Sequence, residues 1–505
     1  MIRRAAIGLV ACAAILVTGC GGGGDDGSDE LASLAPADAP VYLESVVRPE
    51  GEQSDAINSL ASRIGGIDDP GTAIVQQLDA ELSQANATYE DDVAPWLGER
   101  AAVFFESFDG DPPPFAAIFE TTDTGAAQDF VEKVVGANPG SKQDSYNGVD
   151  YLQDPEGTNA AGVVGDFLVY GTLDGFKAAV DASGGSSLAD SSNFEDGVSA
   201  LPTDNLALGY ADGAQAAEQI TGVPVDPLEA TALKAAIQTL ATGPITFALS
   251  ATPDTASVDI SLPAGVAGQL GESNLVARGP ADAWFAVGVQ NLGTVLGNAV
   301  DAANSLQLPS VEDQIKQATG LDPQDIISWM GQGYGFVSGT SEKTIAIGGV
   351  VQSSDQGASS GAIATLRKRF QADVDAELGP PPQGADEGFS ASAPEAPSAI
   401  QVGQFGDQVV AALGPGQPAA DALHPKSTLA DDPAFQAGLD AMGADFSPLA
   451  FVSLAPFFVV AEKGGQANDP DYLAAKPYLQ KLDYLILGTS GDDDRTTARF
   501  VVGVE

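Results

Sequence analysis

The chain has 505 residues, with 70 Asp and Glu against 21 Lys and Arg, for a formal net charge of −49. Apolar residues make up 44% and charged residues only 18%, enough hydrophobic material for a core and unlike a disordered acidic tail. The charge argues against nucleic acid as a partner, because phosphate neutralisation needs a basic surface. Two Cys and one His exclude a Cys/His zinc site and a disulfide framework.

The N-terminus carries Arg3 and Arg4, then an unbroken small and apolar run over residues 5–17. At about 13 residues the run suits a signal-peptide core and is short of the roughly 20 a spanning helix needs. Val17-Thr18-Gly19-Cys20 follows. It resembles a bacterial lipobox, which implies diacylglyceryl transfer to the Cys20 thiol and cleavage before Cys20. The alternative is an ordinary secretory signal with a chance cysteine. The Arg pair also invites a twin-arginine reading, but Ala5 and Ala6 replace the bulky residues expected after it. Residues 1–19 are therefore expected to be a lipoprotein signal peptide. Residues 20–30, rich in Gly and Asp, are expected to be the lipidated cysteine and a flexible tether.

The rest of the chain matches itself at a nearly constant offset of about 240 residues. Pro36-Ala37-Asp38-Ala39 recurs as Pro280-Ala281-Asp282-Ala283, each leading into a strand-like run. Asp92 to Trp96-Leu97-Gly98 recurs as Asp325 to Trp329-Met330-Gly331. Gly165-Asp166 recurs as Gly406-Asp407, and Ser187-Leu188-Ala189-Asp190 with Phe194 recurs as Thr428-Leu429-Ala430-Asp431 with Phe435. Two homologous tandem units are expected, over residues 31–265 and 280–505, joined by a Gly-rich connector over 266–279.

Within each unit strands and helices mix. Residues 257–262 alternate polar and apolar, as do residues 498–504, and both runs follow turn residues after an earlier apolar run. A β-hairpin should close each unit, with Ala498, Phe500, Val502 and Val504 sharing one face. Ala127, Phe130, Val131 and Val134 form one helical stripe, ended by Gly136. Leu173, Phe176 and Val180 form a second behind the N-cap candidate Thr172, and Leu233, Ile237 and Leu240 a third. The fold class this implies is α+β, each unit a mainly antiparallel sheet covered by helices. The Pro- and Ser-rich stretch 380–399 reads as a surface loop.

The lipobox, the Pro-Ala-Asp-Ala strand start, Trp96-Leu97-Gly98, Asp174-Gly175-Phe176-Lys177 and Ser187-Leu188-Ala189-Asp190 together resemble the bacterial domain of unknown function 3352 family. The resemblance implies an exported, membrane-associated protein and brings no activity and no catalytic residues.

Gly357-Ala358-Ser359-Ser360-Gly361 fits the G-x-S-x-G nucleophile pattern between a strand and a helix, with His424 as the one available base. Gly and Ser are so frequent here that a chance match in a plain loop is the expected reading. Gly331-Gln332-Gly333-Tyr334-Gly335 precedes a strand, where a phosphate loop should follow one. Asp109-Gly110-Asp111 and Asp492-Asp493-Asp494 are acidic turns without EF-hand spacing, read as solvated rather than as calcium sites. Trp96 and Trp329 read as core anchors, with a ligand-stacking platform as the alternative. Arg367-Lys368-Arg369 reads as a solvated helix face. No catalytic, cofactor or metal site is expected. The expected role is a non-enzymatic, lipid-anchored extracytoplasmic protein for binding or envelope organisation. Its partners are the membrane through Cys20 and an envelope protein or small ligand. The first alternative is a small-molecule or lipid carrier or sensor, distinguished by a large apolar cavity; a weaker one is an envelope serine hydrolase.

Overall fold

A computed structural model describes residues 27–107, 112–215, 243–263, 273–305, 311–341, 343–373, 377–392, 398–491 and 494–505. They divide into two compact units, with the break after Pro263.

The first unit opens with α1 (Gly27–Ala32), followed by β1 (Val41–Val46). Two helices come next, α2 (Gly51–Leu60) and α3 (Pro70–Leu82), then β2 (Leu97–Phe105) and β3 (Phe115–Thr121). After α4 (Thr124–Val131) a four-strand meander runs through β4 (Lys142–Tyr146), β5 (Val149–Gln153), β6 (Asn159–Val164) and β7 (Phe167–Thr172). Helices α5 (Leu173–Ser183) and α6 (Ser192–Val198) lead to β8 (Ala207–Ala211), and β9 (Ile245–Ala251) and β10 (Thr255–Pro263) close the unit. Every pairing is antiparallel, in the order β4-β5-β6-β7-β3-β2-β1-β8-β9-β10.

The second unit holds β11 (Ala283–Val289), helices α7 (Leu292–Ser305), α8 (Val311–Thr319) and α9 (Pro323–Ile327), then β12 (Met330–Ser338) and β13 (Ala346–Ser353). Helix α10 (Gln356–Asp373) precedes β14 (Glu377–Gly379), β15 (Glu387–Ser392), β16 (Ala399–Phe405) and β17 (Gln408–Gly414). Helices α11 (Pro418–Leu423) and α12 (Pro433–Met442) lead to β18 (Ser447–Ser453). Two further helices, α13 (Leu454–Lys463) and α14 (Pro470–Leu479), come before β19 (Leu482–Gly491) and β20 (Arg495–Val504). Its antiparallel order is β14-β15-β16-β17-β13-β12-β11-β18-β19-β20.

Each sheet is covered on both faces, as strand alternation dictates. In β3, Ala116 and Ile118 enter a core with Tyr42, Phe104 and Phe176, while Ala117 and Phe119 enter another with Trp96 and Phe130. The second unit has one core around Phe336, Phe435 and Phe451 and another around Trp329, Ile363 and Phe389. Local rules fix many boundaries. Thr172 caps α5, accepting from the Gly175 amide at 3.1 Å, and Asp123 caps α4. Gly165 and Gly406 both sit at φ +61° in two-residue hairpin turns, where a side chain would be strained.

Several expectations need correction. Residues read as tether up to Glu30 already contain α1, with Leu31 and Ala32 buried. The connector read over 266–279 ends in Leu275, Val276 and Ala277, which belong to the second unit's core. Both closing hairpins form, but in β10 the buried face is the polar one: Asp259 and Ser261 are buried while Val258 and Ile260 are half-buried. In β20 the four residues expected on one face divide, Val504 being buried and Ala498, Phe500 and Val502 half-buried, while Val501 between them is buried. Alternation gives the period of a strand but not which side meets the core. The stretch read as a surface loop over 380–399 contains β15, whose Phe389 is fully buried. Gly331, Gly333 and Gly335 lie within β12 rather than before it. The third helical stripe, at Leu233, Ile237 and Leu240, lies outside the described residues.

Candidate functional site

The strand β1 ends at Val46, and the chain leaves the sheet through Val47, Arg48 and Pro49 into α2. A wide turn over Ala61–Gly65 ends at Gly66 in the left-handed region, and α3 begins again at Pro70. Asp69 caps it, accepting from the Thr72 amide at 2.8 Å and the Thr72 hydroxyl at 2.6 Å. Ile57, Leu60 and Ile64 recur three to four residues apart, and so do Ile74, Leu78 and Leu82. Each set is one apolar stripe of an amphipathic helix.

The stripes meet the sheet in part: Leu60 is buried, and Leu82 packs against the core around Trp96. Between them and the floor formed by Trp96, Phe119, Phe130 and Val134 lies a cavity of about 830 Å³. Not one residue of α3 is buried, although its stripe is as apolar as a core helix needs. Ile67, at the turn between the two helices, lines the cavity while 47% exposed, which marks an opening to solvent. The floor is rigid. The Trp96 ring meets Phe119 edge-on at 6.4 Å and Phe130 at 5.3 Å, and its Nε1 donates to the Asp92 carbonyl at 2.7 Å.

Because the chamber opens to solvent at Ile67, it holds water or a guest. Its volume falls within the roughly 300–1,000 Å³ of small-molecule sites, and its walls are apolar as such sites are.

Charged side chains stand at and beside the cavity, Arg48 and Asp92 among them. Arg48 lines the cavity, half-buried, and its Nη1 donates to the carbonyls of Ala94 (3.1 Å) and Leu97 (2.7 Å). Asp92, between the lining residues Tyr89 and Val93, pairs with Lys133 at 2.5 Å and accepts from the Thr88 amide at 2.8 Å. Burial alone would raise its carboxyl, but the Lys133 and Thr88 bonds and the Lys133 charge hold it below the usual 3.8.

The second unit has the same tryptophan turn in a different setting. Trp329 is buried and its Nε1 donates to the Asp325 carbonyl at 3.0 Å. There α7 comes directly down on the turn. A Cβ on Gly293 would stand 2.6 Å from the Ile327 carbonyl oxygen and 2.5 Å from that of Met330.

Ser359 lies in the first turn of α10 and is fully buried. Its hydroxyl donates to the Gln356 carbonyl (3.2 Å) and Gln404 (3.0 Å) and accepts from Ser353 (3.0 Å). His424 ends α11 exposed and is not among its partners. Ser360 bonds Glu387. Arg367 and Lys368 are exposed on α10, while Arg369 Nη2 donates to the Gln317 carbonyl at 2.6 Å. Cys20, Asp109, Asp111, Asp492 and Asp493 lie outside the described residues. Among the described residues no group of three or more His, Cys, Asp or Glu is arranged to hold a metal. No described helix is long and apolar enough to cross a membrane.

Sequence reasoning missed Arg48 and the paired stripes of α2 and α3. Their helical spacing was there to be read, but spacing cannot tell a stripe that meets a core from one that meets a void.

No functionally curated protein matches the sequence. Among solved structures, two crystal forms of a protein named TP0453 are similar at 12% identity. Form IV gives a TM-score of 0.26 over 46% of this chain and 79% of that one; form I gives 0.24 over 48% and 80%. Residues 7–498 match the family described as "Protein of unknown function (DUF3352)", and the chain belongs to that family.

Proposed function

We propose that this protein is a carrier or sensor for a small apolar molecule, held in the cavity of its first unit and presented at a membrane surface. The observation that carries this reading is the 830 Å³ chamber roofed by two apolar stripes, one of them on a helix with no buried residue. A guest that replaces water there gains about 25 cal/mol for each Å² of apolar surface covered on it and on the walls. This favours the carrier over the scaffold as the first reading. The scaffold reading draws on a different feature, the exposed Phe457, Val459, Leu473 and Tyr478 on α13 and α14.

The anchoring proposed is a diacylglyceryl group on Cys20 after removal of residues 1–19, facing the extracytoplasmic side. Its support is the lipobox order and the charged, apolar and small segments around it. We also propose that the two units arose by duplication. The matching strand orders support it, as do the two Trp–carbonyl bonds. So do the Ser187–Asp190 and Thr428–Asp431 capping boxes and the bridges Pro36–Ser187 and Pro280–Thr428.

The test is extraction of the full chain, purified from its own membrane, followed by mass spectrometry of released small molecules. One apolar species near stoichiometric amount, lost when Ala61→Phe and Leu78→Trp fill the chamber, is expected. An equal yield from the filled variant would refute the site.

A further inference from the structure

We propose that the guest is a single-chain anionic amphiphile, with its oxyanion headgroup on Arg48 and its chain along the stripes of α2 and α3. This rests on the cavity reading and names the class of molecule the cavity takes.

Arg48 is the cation lining the chamber, in a chain where acids outnumber bases 70 to 21. In such a chain an arginine beside an apolar void would ordinarily find a carboxylate. Among the described residues Arg48 has none within 4.0 Å; its partners are two neutral carbonyls, both on Nη1. Nε and Nη2 have no partner among the described residues. The carbonyls fix the guanidinium without neutralising it, so a full positive charge with free donors is held at the edge of a low-dielectric space. There an oxyanion is bound more strongly than in open water. A guanidinium suits carboxylate and phosphate alike, through two parallel N–H groups.

Three carboxylates also line the chamber. Glu50 and Asp69 are exposed, and both Asp69 oxygens are engaged by Thr72. Glu81 is half-buried on α3. They repel an anion from the rest of the rim and leave Arg48 as the place for the headgroup. Behind it the walls at Leu60, Ile64 and Leu78 offer no hydrogen bond, which suits an acyl chain and excludes a polar one.

The experiment is calorimetric titration of the full chain carrying Cys20→Ala, with each probe below its micelle concentration. The probes are oleate, oleyl phosphate, oleyl alcohol, acetate and inorganic phosphate. The acids are expected to bind at least about tenfold more tightly than the alcohol, with oleate against oleyl phosphate showing which headgroup is preferred. Acetate and inorganic phosphate alone should not bind measurably. Arg48→Met should erase the preference of acid over alcohol, and Arg48→Lys should keep part of it. Melting curves check that both fold; if Arg48→Met does not, the wild-type comparison and Arg48→Lys decide. Equal affinity for alcohol and acids in the wild type, or equal weakening of all three by Arg48→Met, overturns the headgroup assignment and leaves the cavity standing. If no oleyl compound binds, the cavity reading itself fails.

Discussion

The guanidinium of Arg48 donates to the carbonyls of Ala94 and Leu97, which stand two residues before and one after Trp96. Gly293 lies against the carbonyls of Ile327 and Met330, which stand two before and one after Trp329. The same pair of main-chain acceptors is met in one unit by a long cationic side chain and in the other by bare helix backbone. In the first unit the cavity lies above Trp96, with Arg48 in its lining. Gly293 removes the one atom that would keep α7 off its own turn.

Gly293→Ala should therefore destabilise the second unit. The added methyl meets two backbone oxygens that cannot swing aside, and overpacking of this kind costs about 1–3 kcal/mol. Chemical denaturation of the full chain should show an earlier transition with the cavity's ligand affinity unaltered. A Gly293→Ala protein as stable as the wild type, as its better helix propensity alone would give, would show that α7 can shift at no cost.

A buried ion pair supports the wall behind Val46. Arg100 Nε donates to Glu44 at 2.5 Å, Tyr42 donates to the same carboxylate at 2.6 Å, and Arg100 Nη2 donates to Asn205 at 3.2 Å. The two side chains are 6% and 0% exposed. Arg100→Met should cost about 3–5 kcal/mol by stranding the Glu44 charge, and Glu44→Leu added to it should recover much of the loss. Urea denaturation of the three variants checks this, and a double variant as weak as the single one would contradict it.

Asp92 gives a pH dependence whose sign follows from its depressed carboxyl. A group lowered on folding contributes stability above its unfolded value, near 3.8, and loses it as pH falls through the folded value. Lys133→Met should cost under about 1 kcal/mol, because Lys133 is 40% exposed and its charge is screened. That difference should be flat at neutral pH and shrink as pH falls below 3.8. Melting curves of both proteins across acid pH measure it; a difference that grows on acidification would contradict the assignment.

Much of this fold was legible in the chain because its cues are local. Thr172, Gly165 and Gly406 fix caps and turns by their own geometry, and the stripe Ala127, Phe130, Val131 and Val134 buries itself wherever the helix lands. What could not be read was tertiary. The faces of β10 and β20 depend on what covers them, so Asp259 and Val501 end up inside against the simple pattern. The cavity depends on how α2 and α3 stand over Trp96, which no periodicity states.

The proposed anchor is tested by Cys20→Ala, which should release the protein from membranes or leave its signal uncleaved. Fractionation with immunodetection reads the outcome. A variant still processed and membrane-bound to the wild-type extent would contradict lipidation at this residue.

The most direct test of the cavity as the binding site uses Trp96, which forms its floor among three tryptophans in the chain. A stearate brominated at mid-chain quenches tryptophan on contact. Titrated into the wild type, it should remove a saturable share of the emission. In Trp96→Phe, which keeps an aromatic floor, calorimetry should still show binding while the saturable quenching disappears. Undiminished saturable quenching in Trp96→Phe would place the ligand against Trp284 or Trp329 instead and contradict the account.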